Sequence, residues 1–145
     1  PPIMSAESRK LIHDTLIPMR WGDMDALGHL NNTYYFRYME QARVEWLDAL
    51  AEPIAPGGIG PVIAHIACDF KRELVYPATI RLCTYVTQIG RSSMKLDHEF
   101  RLATDEQTVY ATGHAVLVWV DYSQGGSVPV PDGIRRHCQQ AVGLQ

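Results

Sequence analysis

The sequence predicts an α+β domain in which one long central helix is wrapped by an antiparallel sheet of five or more strands. Three observations predict it. One stretch, 32–50, carries apolar residues at helical spacing. Three later stretches alternate apolar and polar residues, the period of a half-buried strand, and a fourth, 108–121, is a long β-rich run. The segments between those stretches are short, which favours antiparallel neighbours. A sheet of that width must cover its apolar face, and one helix laid against it does so.

The elements follow in order. Residues 5–12 read as a polar lead-in, and 13–20 as a first strand that Pro18 confines to a sheet edge or a bulge. In the helix, Tyr35, Tyr38, Met39, Ala42, Trp46, Leu47 and Leu50 define the apolar face. Arg37, Glu40, Gln41, Arg43, Glu45 and Asp48 define the other face, and Asn31 or Asn32 is a natural N-cap. Residues 51–61 hold three prolines and three glycines and read as a loop. Strands follow with Val62, Ala64, Ile66, Cys68 and Phe70 on one side, then Ile80 to Val86, then Met94, Leu96, His98, Phe100 and Leu102. The last strand occupies 108–121. The connections read as Tyr76-Pro77-Ala78, Gly90-Arg91-Ser92 and Thr104 to Gln107. A short helix is expected from Pro131. The chain divides into one domain over 5–135 and a tail over 136–145.

Composition narrows the function. The 145 residues are 46% apolar, enough for a core, and carry 13 basic against 16 acidic residues for a net charge of −3. No basic excess points to nucleic acid. No run is long enough to span a membrane, and no signal-peptide pattern is seen, so a cytoplasmic location is expected. Cys68, Cys83 and Cys138 lack metal-type spacing and read as buried free thiols.

The chemistry concentrates in Asp23–Asn32, which sets two carboxylates, a histidine and two asparagines before the longest helix. A helix N-terminus presents unpaired N–H groups and a positive dipole end. Such a site can hold the oxygen of a polarised carbonyl while a nearby carboxylate attacks it or activates water. Gly22 and Gly28 would let backbone pass close to a ligand. The same residues also serve as ordinary caps and turn formers. Asp23 reads as a structural carboxylate bonding loop N–H groups. His29 is open between a site residue and a loop histidine. Asp23, Asp25 and His29 do not complete a metal set, so no metal site is expected. Tyr35, Tyr38 and Trp46 read as core or interface, and His65, His98 and His114 as satisfied strand histidines.

The string Trp21-Gly22-Asp23-Met24-Asp25-Ala26-Leu27-Gly28-His29-Leu30-Asn31-Asn32, continuing into the aromatic-rich helix, resembles the active-site signature of the hydroxybenzoyl-CoA thioesterase family of hotdog proteins. Asp69-Phe70-Lys71-Arg72-Glu73-Leu74 with Tyr76-Pro77 resembles that family's second strand and turn. Ile89-Gly90-Arg91-Ser92-Ser93 resembles its Gly-Arg-Ser-Ser hairpin, and Val120-Asp121 with Val128-Pro129-Val130-Pro131 its last strand and tail. The resemblance covers residues 13–135 in the family's order.

It implies a hotdog fold and hydrolysis of acyl- or aroyl-CoA thioesters to free acid and coenzyme A. Asp25 would be nucleophile or general base, and a backbone N–H near Asn32 the oxyanion donor. Some members carry histidine or tyrosine where Asn32 stands, so a side-chain role there is in doubt; His29 is the alternative group to polarise the thioester or orient Asp25. Arg91, Ser92 and Ser93, with Lys71 and Arg72 behind them, would hold the nucleotide end of coenzyme A. No cofactor is implied beyond coenzyme A within the substrate and product. The family's sites lie between subunits, which implies a homodimer stacking further into a homotetramer, a dimer of dimers. Two alternatives stand beside this: a thioesterase acting on acyl carrier protein, which the net charge of −3 disfavours, and a non-catalytic acyl-CoA-binding hotdog domain, which would not need Asp25.

Overall fold

In a computed structural model of the chain, which describes residues 9–50 and 57–143, the first strand, β1, is Lys10–Pro18. It lies at a sheet edge, as Pro18 requires, and carries a register shift between Leu11 and His13. A single 3₁₀ turn at Trp21–Asp23 follows. The long helix, α1, is Asn32–Ala49, about 27 Å of helix. Asn31, not Asn32, is its N-cap: its side-chain oxygen accepts from the Thr33 N–H.

Strands β2 (Ile59–Phe70), β3 (Thr79–Ile89), β4 (Ser93–Leu102) and β5 (Ala111–Asp121) complete an antiparallel sheet in the order β1-β3-β4-β5-β2. The helix α2, Asp132–Gly143, packs against β1 and crosses the expected division between domain and tail at 135 and 136. The five strands and one long helix are the expected hotdog arrangement.

Several local expectations change. The loop read over 51–61 ends earlier, because Ile59, Gly60 and Pro61 pair with Asp121, Val120 and Trp119. Pro61 is tolerated there because β2 is an edge strand with one side unpaired. A side chain at Gly60 would collide with Tyr122, whose hydroxyl donates to the Pro61 carbonyl at 2.6 Å. Residues 51–56 lie outside the described residues. The last strand begins at Ala111 rather than 108.

The connection through Tyr76-Pro77-Ala78 does not join neighbours, since β4 and β5 separate β2 from β3. It is a crossover, Lys71 to Ala78, that runs past the entrance of α1. The even alternation read along β2 is broken by a register shift between Ile63 and His65. Its apolar residues stay largely uncovered, with Ile59, Val62, Ile63 and Phe70 exposed.

The core forms two clusters. One gathers Trp46, Leu47, Leu96, Leu117 and Trp119 under α2, with Ile134 and Cys138 of that helix fully buried. The other gathers Met19, Leu30, Tyr35, Tyr38, Met39, Leu74, Leu82 and Phe100 beneath the entrance of α1. The three cysteines are free, with Cys83 and Cys138 buried and Cys68 half-buried. Arg43, placed by periodicity on the polar face, is buried instead, and its Nη1 has no protein hydrogen bond among the described residues. It lines a cavity between α1 and β2 together with Phe36, Ile63 and Ile66.

His98 also departs from the reading of a satisfied strand histidine. It is fully buried, bonds Thr84 Oγ1 through Nδ1 at 3.0 Å, and leaves Nε2 without a protein partner among the described residues. Burial first, then the charges of Arg43 and His114, push its pKa down to about 3 from 6.5. A lowered histidine pKa makes the unfolded chain the better proton binder between those two values. Stability present above pH 6.5 is therefore lost as the pH falls towards 3, by up to ~1.4 kcal/mol per unit. Urea midpoints measured from pH 7 to 4 are expected to fall, and His98→Gln is expected to flatten the fall by close to one proton. An unchanged slope in the variant would refute the assignment.

Candidate active site

The signature segment folds into a closed loop because its ends meet. Met24 and Leu30 form an antiparallel bridge, the Asp25 N–H donates to the His29 carbonyl at 2.8 Å, and the Gly28 N–H donates to the Asp25 carbonyl at 3.0 Å. Gly28 sits at φ +82°, a left-handed turn that a side chain would strain. A side chain at Gly22 or Gly28 would meet no other protein atom within 4 Å, so the protein itself does not crowd either position. Two further bonds hold the loop against the body: Leu30 N–H to the Leu74 carbonyl at 2.8 Å, and Asn31 N–H to the Asp23 carbonyl at 2.9 Å.

The two aspartates face different surroundings. Asp23 is buried, and its Oδ2 accepts from the Tyr38 hydroxyl at 2.6 Å and from Arg20 Nε at 3.2 Å. It is structural, as expected, but through these side chains rather than through loop N–H groups. Burial and that bond raise the Tyr38 pKa well above the ordinary tyrosine value. Asp25 is half-buried; its Oδ1 accepts from the Leu27 N–H at 2.9 Å and the His29 N–H at 3.3 Å. Among the described residues its Oδ2 takes no protein hydrogen bond. Asp25 is thus a turn carboxylate through one oxygen and free through the other, so the two readings of this residue are compatible.

Asp25, His29 and Asn32 line one cavity of about 270 Å³ at the N-terminus of α1. The crossover after β2 brings Phe70, Lys71, Arg72 and Glu73 to its other wall, and Leu30 and Tyr35 complete the lining. Lys71 and Arg72 are anchored by their backbone N–H groups to the Tyr110 carbonyl, both at 3.0 Å. Capping assigns the first N–H groups of the helix. Thr33 N–H goes to the Asn31 side chain and Tyr34 N–H to the Asn31 carbonyl at 2.9 Å. No protein acceptor meets the Asn32 N–H among the described residues, and it stands at the positive end of the helix dipole. The arrangement therefore sets a carboxylate residue and the first residue of the helix on one cavity. That pair suits attack on a carbonyl whose oxygen gains charge.

The other predicted residues do not gather here. Arg91, Ser92 and Ser93 form the β3–β4 turn, closed by the Gly90 N–H to the Ser93 carbonyl at 2.8 Å. β3 begins beside the crossover and runs 11 residues to that turn, roughly 35 Å away. Within one chain the turn and the cavity lie at opposite ends of the sheet. Tyr35 and Glu73 line the cavity and were not singled out for chemistry. Helical spacing places Tyr35 on the apolar face without showing that its tip reaches a cavity, and Glu73 carried no signal beyond its place in the matching stretch.

A long helix held by a five-stranded antiparallel sheet, with a carboxylate and a free helix N–H at its entrance, defines the hotdog thioesterase class. The profile of the Thioesterase-like superfamily matches residues 19–137, and the chain belongs to that family. Solved structures agree. A proposed thioesterase from Pseudomonas aeruginosa is 42% identical, with a TM-score of 0.85 over 88% of this chain and 98% of that one. A proposed acyl-CoA thioesterase from Xanthomonas campestris is 36% identical, with a TM-score of 0.73 over 81% of this chain and 99% of that one. A gentisyl-coenzyme A thioesterase is 25% identical, with a TM-score of 0.75 over 85% and 99%. The chain is a thioester hydrolase by family.

Proposed function

We propose that this protein hydrolyses acyl- or aroyl-CoA thioesters, with Asp25 as nucleophile or general base and the Asn32 N–H as oxyanion donor. The observation that carries the reading is that Asp25 and Asn32 line one cavity, while among the described residues neither Asp25 Oδ2 nor the Asn32 N–H has a protein hydrogen-bond partner. The carboxylate either attacks the thioester carbonyl, or takes a proton from water that attacks it. In both routes the C–S bond breaks and its electron pair leaves on the coenzyme A thiolate. A thiolate is a good leaving group, so no strong general acid is required. If Asp25 attacks first, water then cleaves the resulting anhydride.

Lys71 and Arg72 add positive charge at the cavity wall, where phosphate or carboxylate oxygens of a substrate would be held. A part for Arg91, Ser92 and Ser93 requires a second copy, because their own chain keeps them at the far end of the sheet. This favours the homodimer, with a homotetramer as its further stacking. The open edge and exposed apolar residues of β2 are a second reason to expect association. We place the protein in the cytoplasm, with no cofactor besides the coenzyme A of its substrate.

Thiol release from a panel of short, long and aromatic acyl-CoAs tests the reading. Cleavage of at least one class, with a preference for it over acyl carrier protein thioesters, is the expected result. Binding without cleavage would favour the non-catalytic alternative, and no response to any acyl-CoA would sink the proposal.

A further inference from the structure

Tyr35 combines properties that a core aromatic does not need. The residue is only 3% exposed, and its ring is fixed by Phe70, edge-on at 4.8 Å between centroids, and by Phe100 at 5.2 Å. Yet it lines the same cavity as Asp25 and Asn32. No protein group hydrogen-bonds its hydroxyl among the described residues, although Tyr38, one turn further, has its partner in Asp23. The hydroxyl is not among the fully enclosed polar atoms that lack a partner, so it stays accessible, and a group entering the cavity can take it as a donor.

Helix geometry brings the hydroxyl to the reacting end. Tyr35 is three residues after Asn32, on the same face and about 4.5 Å further along the axis. Helical side chains lean towards the N-terminus, so the phenol leans towards the Asn32 N–H. Burial, then the charges of Cys68, Glu73 and Asp25, raise the Tyr35 pKa to about 12. The phenol therefore keeps its proton at neutral pH and can only be useful there as a donor or neutral acceptor.

Resting on the thioesterase reading above, we propose that Tyr35 is a catalytic residue whose hydroxyl donates a hydrogen bond to the reacting thioester, as a second donor beside the Asn32 N–H. The bond goes either to the carbonyl oxygen or to the leaving sulfur. The proton stays on the phenol throughout; charge accumulates on the acceptor as the C–S bond breaks, and the hydrogen bond strengthens with it.

The test is Tyr35→Phe, which keeps the ring against Phe70 and Phe100 and removes one oxygen. The unfolding midpoint is expected to stay within about 2 °C of wild type. With an acyl-CoA that the wild type cleaves, kcat is expected to fall about 10- to 100-fold with KM changed less than about threefold. Thioesters of an alkyl thiol and of a more acidic aryl thiol separate the two acceptors. A defect that shrinks with the aryl thiol assigns the bond to sulfur, and an equal defect assigns it to the carbonyl oxygen; either supports the proposal. Wild-type kcat in the variant, or a loss confined to KM, overturns it while leaving Asp25 in place. If the wild-type protein cleaves no thioester, the thioesterase reading falls and this role with it.

Discussion

Asp25→Asn is expected to lower thioester turnover by about 10²-fold or more, with little change in stability. The amide keeps an oxygen for the Leu27 and His29 N–H groups, so the loop should hold its shape. What it loses is the negative charge of a side chain that lines the cavity. An uncharged amide neither attacks a carbonyl nor takes a proton from water. Asp25→Ala should lose as much turnover, and should also loosen the loop, because two backbone donors lose their acceptor. Asn32→Ala provides the contrast. Its backbone N–H survives, so turnover should fall far less than for Asp25. Steady-state thiol release with the three variants decides between these expectations. Full activity in Asp25→Asn would remove the carboxylate from the mechanism, and an equal loss in Asn32→Ala would show that the side chain acts.

The largest effect on stability is expected at Phe100. It is fully buried on β4, in the cluster beneath the entrance of α1, and packs directly on the Tyr35 ring. Phe100→Ala removes that volume from a region that strands fix from both sides, since Phe100 pairs with Leu82 and with Ala111. Relaxation into the space is therefore limited, and the cost should be about 3–5 kcal/mol. Thermal unfolding should show a midpoint lower by about 10 °C or more. Phe70→Ala is the comparison: Phe70 also touches Tyr35 but is 49% exposed, so its loss should cost much less. Similar midpoints for the two variants would contradict the burial argument.

The local features were legible in the sequence because they are set by nearest neighbours along the chain. The period of α1, its N-cap among Asn31 and Asn32, and the alternation of β3 and β4 each follow from side chains a few residues apart. The signature loop was legible for the same reason. Its glycine, its carboxylates and the helix start all lie within ten residues, and the bonds that close it join residues at most eight apart.

Strand order was not legible, because no local pattern encodes it. β2 and β3 look like partners by spacing, yet β2 crosses to the far edge beside β5. Arg43 and His98 were misread for a related reason. Periodicity gives the face of an element, but how deeply that face is buried depends on what crosses over it.

By itself, then, the sequence determined the elements and the loop before α1 that carries Asp23 and Asp25. Tertiary structure decided what stands around Asp25. The crossover carried Lys71, Arg72 and Glu73 to the helix entrance, the hairpin was held at the opposite end, and Tyr35 was brought to the cavity. A cavity is made where segments distant in sequence meet, and only their packing says which side chains share it.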